Sequence, residues 1–188
     1  MKKMILATMM AIVAGGASAQ VYVAGAAGVT NLDLNCAGTN SCDNNGVGGK
    51  LIVGYTVNPN IAIEAGYVNF GEAKAGVYLS SYGLLDMNLK SNAFYIGGAF
   101  RGDFTPRIAG VARLGLAQVE TKSSVSTSYA SGSSSKSEAN PLFGLGLDYA
   151  LNKQFHLTMD VDFTQSPIAD ANETATLRLI SVGAKYNF

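Results

Sequence analysis

Residues 155–164 read Phe155-His156-Leu157-Thr158-Met159-Asp160-Val161-Asp162-Phe163-Thr164, and every second side chain is apolar. A period of two puts Phe155, Leu157, Met159, Val161 and Phe163 on one face of a strand. His156, Thr158, Asp160, Asp162 and Thr164 fall on the other, whereas a helix would scatter both sets around its circumference. The same alternation runs through Lys50–Val57, Leu142–Tyr149 and the closing stretch from Ile180 to Phe188. Looser versions occupy about 20–30, 61–70, 89–103 and 107–120. These runs predict eight strands of roughly 9–14 residues, against a globular mean of about 5–6 and a membrane-crossing need of about 9–11.

The connections alternate in length. Asn58-Pro59-Asn60, the segment around Thr105-Pro106, and Asn152-Lys153-Gln154 are tight turns of expected composition. Segments at about 31–45, 71–88, 121–139 and 165–174 are long and rich in Ser, Thr, Asn and Gly. Short turns at one rim and long loops at the other are the signature of an eight-stranded antiparallel up-and-down transmembrane β-barrel. An even strand count places both termini on the short-turn, periplasmic side. The Ser-rich segment from Glu120 to Glu138 is expected to be a mobile loop.

Ahead of the first strand, Lys2 and Lys3 precede an apolar run and the small-x-small site Ala17-Ser18-Ala19. Residues 1–19 are therefore expected to be a cleaved signal peptide and residues 20–188 a single barrel domain. In an exported chain Cys36 and Cys42, five residues apart in a polar loop, are expected to form a disulfide contributing roughly 2–2.5 kcal/mol. Two Cys with no nearby His do not make a metal site, and no cofactor is expected.

The 188 residues carry 13 Lys+Arg against 13 Asp+Glu, and only 14% are charged. That balance gives no basic surface for nucleic acid. Loss of Lys2 and Lys3 leaves 11 basic residues, a net charge of −2. Extending the alternation puts Lys50, Glu64, Arg101, Arg113, Asp148, Asp160, Asp162 and Lys185 on the polar faces, four of each sign. A Lys or Arg facing lipid at mid-membrane costs about 2–4 kcal/mol. Inside so narrow a barrel, charges must pair. The eight are thus expected to form a paired network plugging the lumen. Tyr22, Tyr55, Phe104, Tyr149, Phe155, Tyr186 and Phe188 fall near the short-turn ends, where an interfacial aromatic belt belongs.

The stretches VYVAGAAGVT at 21–30, IEAGYVNFG at 63–71, VARLGLA at 111–117, LGLDYAL at 145–151 and the ending LISVGAKYNF follow one another in a set order. In that order the chain resembles the small Gram-negative outer-membrane β-barrel proteins, the group of the OmpA-like transmembrane domain and the opacity-type "porin family" proteins. The resemblance implies that Tyr186 and Phe188 form the terminal signal read by the barrel-assembly machinery. It also implies that Glu64 and Arg113 match the family's interior acid and base. It implies outer-membrane lipid and lipopolysaccharide as surroundings, and host or environmental ligands for the loops. A monomer is expected. The chain ends at Phe188 without the peptidoglycan-binding domain of two-domain members, so wall tethering is not expected.

Enzymatic chemistry is not expected. The single His, His156, follows a tight turn and so belongs at the periplasmic end, away from the leaflet that holds lipid A. Asp160 and Asp162 share a face roughly 6.5–7 Å apart, a spacing open to glycoside hydrolysis, but they point into a filled lumen. Gly46–Lys50 reads GVGGK and lacks the Ser/Thr of a phosphate-binding loop. Three readings remain: a non-enzymatic surface scaffold, a small passive channel using gaps near Gly97, Ala99, Gly115, Gly144 and Gly146, and a secreted lipocalin-like binder.

Overall fold

A computed structural model describes residues 20–32, 41–79, 83–126, 131–167 and 174–188. The proposed signal peptide and Cys36 lie outside those residues, and of Cys42 only the backbone is described. Nine strands occur among the described residues: β1 Val21–Leu32, β2 Ser41–Asp43, β3 Asn45–Asn58, β4 Ile61–Leu79, β5 Gly83–Asp103, β6 Ile108–Ser126, β7 Ser131–Ala150, β8 Phe155–Pro167 and β9 Thr174–Asn187. Successive long strands pair antiparallel, and β1 pairs with β9 to close the cylinder. β2 continues the line of β3 along the far end of β4, pairing Ser41 with Gly76.

Closure leaves no free edge and pairs the ladder hydrogen bonds internally, the condition for a sheet to sit in hydrocarbon. The pleat then sorts the side chains. Leu51, Val53, Ile63, Phe94, Leu116, Leu145, Met159 and Val182 face outward. Asp160, Asp162 and Arg113 are buried within. A soluble binder has the opposite arrangement, so the lipocalin-like reading fails on this sorting. Tyr22 corrects the proposed belt: it is buried in the lumen, whereas Tyr55, Phe104, Tyr149, Phe155 and Phe188 are exposed on the outside. Tyr22 is even-numbered on β1, in phase with buried Ala24 and Thr30, so parity places it inside whatever its height.

The long connections also need correction. The segments 71–88 and 121–139 are mostly strand, and β4 to β7 run for 19 to 21 residues, against 12 to 14 for β1, β3, β8 and β9. β1 likewise reaches Leu32, β3 starts at Asn45, β8 ends at Pro167 and β9 starts at Thr174. The expected mobile loop is instead a paired hairpin in which Thr121 faces Lys136 and Ser126 faces Ser131. At residues 122–124 and 132–138 both faces are exposed or half-exposed, so no polarity alternation is imposed and the period disappears while the ladder continues. Thr, Ser and Val remain compatible with extended backbone.

At two places the backbone requires glycine. Gly71 adopts φ 74°, in the bulge where the β4–β5 register slips between Asn69 and Glu72, and its N–H donates to Asn69 Oδ1 at 2.7 Å. A glycine in the left-handed region is the usual occupant of such a bulge. Gly97 faces Gly115 across β5 and β6. A β-carbon at Gly97 would meet the Leu114 carbonyl oxygen and lie 2.6 Å from Gly115 Cα. Both are main-chain atoms, which cannot swing aside. Gly97→Val is therefore expected to block closure of this seam, read as loss of the folded, faster-migrating band when unboiled protein is run in detergent gels.

Candidate functional site

The interior is built in two levels. Toward the short turns it is ionic. Arg113 on β6 donates through Nε to Glu64 of β4 at 3.0 Å and through Nη1 to Asp160 of β8 at 2.6 Å. Lys50 on β3 lies 3.3 Å from Asp160 Oδ2 and donates to Asp162 Oδ2 at 2.5 Å. Tyr22 and Tyr95 donate to Glu64 at 2.5 and 3.1 Å. Five charges from four strands thus form one chain, Glu64–Arg113–Asp160–Lys50–Asp162, each side chain at most 4% exposed.

A second cluster lies nearer the short-turn mouth. Lys185 of β9 pairs with Asp148 Oδ2 of β7. Arg101 of β5 reaches the same oxygen at 3.3 Å and Asp103 at 3.0 Å. All eight charged residues singled out in the sequence are therefore turned inward. Arg101 stands apart, its side chain 29% exposed at the rim. The four-against-four balance divides unevenly: the inner chain holds three carboxylates and two cations, the outer cluster two cations around one buried carboxylate.

Glycines make room for the carboxylates. A β-carbon at Gly144 would stand 2.6 Å from Asp162 Oδ1, and one at Gly146 would strike Asp160 Oδ1. The space at these two small residues is occupied by the aspartates of the adjacent strand. Tyr22 anchors the inner chain from β1. Tyr22→Phe is expected to cost about 1.5–3 kcal/mol in urea unfolding, the range for a hydrogen bond to a charged group.

The level above is apolar and had no counterpart in the sequence reading. Leu32, Phe70, Val119, Leu142, Leu177 and Leu179 are each at most 1% exposed and meet across the lumen. Hydroxyls border this layer: Thr121 Oγ1 lies 3.2 Å from Ser91 Oγ and 2.6 Å from Ser166 Oγ. The available signal was parity, since Leu177 and Leu179 are in phase with Ser181 and Lys185 rather than with Ile180 and Val182.

His156 is buried on β8, opposite Lys185 of β9. Asp160 and Asp162 are engaged by Arg113 and Lys50, and Arg101 reaches neither. No group of three or more His, Cys, Asp or Glu with metal-binding geometry occurs among the described residues. Tyr186 stands between Phe155 and Phe188, ring centroids 4.8 and 4.9 Å away, in two edge-to-face contacts at the end of β9.

The family model described as the OmpA-like transmembrane domain matches residues 16–188. An uncharacterized protein of Haemophilus influenzae is 29% identical over 111 residues, a stretch covering 57% of this chain and 59% of that protein. Among solved structures, Neisserial surface protein A superposes with a TM-score of 0.63 at 17% identity, over 92% of this chain and 99% of the other. The attachment invasion locus protein Ail of Yersinia pestis gives 0.59 at 19% identity, over 90% and 98%. Ail has also been solved with the heparin analogue sucrose octasulfate.

Proposed function

This chain belongs to the OmpA-like transmembrane domain family, and from that membership we propose that it is a non-enzymatic surface scaffold with a closed lumen. It is an outer-membrane β-barrel of the Gram-negative type. Both termini and the short turns face the periplasm, and the opposite rim presents the chain to the outside. The barrel acts as a monomer after removal of residues 1–19, with Cys36 and Cys42 joined as a disulfide. Tyr186 and Phe188 are the signal read during assembly.

The observation that carries this reading is the extension of β4 to β7 beyond the apolar outer band. On β6 the large outward apolar residues end at Leu116, yet pairing with β7 continues to Ser126. At roughly 3.3 Å per residue, ten further residues raise these strands by about 30 Å before tilt. Outward positions at the start of this extension are polar and joined across strands, as in Asn69–Asn92 at 2.9 Å and Gln118–Ser137 at 2.8 Å. On β6 and β7 the described residues of this extension, 122–124 and 132–138, are polar and exposed or half-exposed, so these two strands form a raised hydrophilic wall beside a lower rim. A paired wall presents a fixed surface to lipopolysaccharide or to a host or environmental ligand, without the ordering cost of a floppy loop.

The ionic and apolar levels support closure over passage of solutes. An epitope placed between Ser126 and Ser131 is expected to be labelled on intact cells, and the purified barrel to show no steady openings in planar bilayers. Labelling only after permeabilisation would reverse the orientation. Regular conductance would replace the scaffold with the passive channel.

A further inference from the structure

We propose that the short-turn mouth of the barrel is an oxyanion site that takes a phosphate group. A cavity of about 240 Å³ opens there, lined by Arg101, Lys153, His156, Lys185, Asn58 and Asn187 among others. It is large enough for a phosphate with its first waters.

Two observations give it its sign. Arg101 and Lys185 converge on a single carboxylate oxygen, Asp148 Oδ2. The remaining partner of Arg101 is Asp103, whose side chain is 62% exposed to solvent. Counted with Asp103 the cluster balances two against two, but Asp103 lies out in solvent, so the buried wall itself carries two cations on one carboxylate. Deeper in, Arg113 adds nothing, because Glu64 and Asp160 consume it. Lys153, in the turn between β7 and β8, has no ion-pair partner among the described residues and adds a further charge at the lip.

The second observation is an unmet polar atom. His156 is 8% exposed, lines the cavity, and its Nδ1 has no hydrogen-bond partner among the described residues. A buried imidazole nitrogen without a partner is costly. The imidazole already bonds the Lys153 backbone, so Nδ1 is the acceptor nitrogen of the neutral ring, and a P–OH of a phosphate group in the cavity would donate to it. The group's other oxygens would offer Lys153, Lys185 and Arg101 charge-assisted contacts. A phosphate monoester or inorganic phosphate and a phospholipid headgroup share these oxygens, and in the orientation proposed above both have access to the mouth.

The test uses the full folded barrel in an uncharged detergent, with the His156 imidazole and the Lys153 and Asn187 amides followed by NMR. Inorganic phosphate, exchanged for chloride at constant ionic strength, is expected to shift these signals to saturation. Lys153→Gln should weaken binding about tenfold, as for the loss of one charge-assisted hydrogen bond. A parallel titration in nanodiscs with phosphatidylglycerol separates the sources. Saturation by inorganic phosphate assigns the free ion, and saturation by the lipid alone assigns the headgroup; either supports the site. Shifts reproduced by chloride, shifts that never saturate, or affinities unchanged in both Lys153→Gln and His156→Gln would overturn it.

Discussion

Arg113→Met is expected to remove about 3–5 kcal/mol of barrel stability, the range for breaking a buried ion pair by deleting one partner. The loss comes from what is left behind. Asp160 keeps Lys50 at 3.3 Å, a lysine it shares with Asp162, so its charge stays partly neutralised. Glu64 keeps only the hydroxyls of Tyr22 and Tyr95, and two neutral donors do not offset a carboxylate 1% exposed inside a protein wall. The damage is therefore assigned to the orphaned Glu64 rather than to the missing guanidinium. Glu64→Gln added to Arg113→Met should recover at least half of the loss, because an amide in that place can still accept from the tyrosines. Urea unfolding in lipid vesicles checks both numbers. If Arg113→Met proves neutral, or the second change deepens the loss, the inner chain is not a mutually dependent set.

What could be read from the residues, and what could not, follows from where each face of the sheet lies. Within the bilayer one face meets hydrocarbon and the other the lumen, so polarity must alternate. That constraint made Phe155–Thr164 and Lys50–Val57 legible and fixed which eight charges turn inward. Pairing within the set was not legible, because it depends on the stagger between strands. Lys50 and Asp162 are 112 residues apart and meet only through the closed register. The division of the balanced charges into a net negative chain and a net positive mouth follows from the same stagger. Above the bilayer the alternation fails for the opposite reason: residues 122–124 and 132–138 are exposed or half-exposed on both faces, so a paired hairpin looked like a polar loop. The interior apolar layer was hidden by its own chemistry. A lumen position filled by Leu177 looks, in isolation, like a lipid-facing one, and only its phase relative to Lys185 separates the two.

That apolar layer leads to the other large effect. Phe70→Ala is expected to cost about 3–5 kcal/mol, as large aromatic truncations in packed interiors do. Phe70 is fully buried, and its neighbours across the lumen belong to other strands of a closed sheet. They cannot collapse toward the gap without disturbing the ladder, so little of the cost is relieved. The same substitution also tests closure. Between the mouth and the far rim any ion must cross the charged chain around Arg113 and then the layer of Leu32, Phe70, Val119, Leu142, Leu177 and Leu179. With two barriers in series, removing one leaves the other in control. Phe70→Ala alone is thus expected to remain silent in planar bilayers despite its loss of stability, as is Arg113→Met alone. Only the combined variant, in a background still folded by its gel shift, should show openings. Openings from Phe70→Ala by itself would mean that the ionic level conducts and that the apolar layer is the only seal. Silence from the folded double variant would place the seal in packing that neither residue controls.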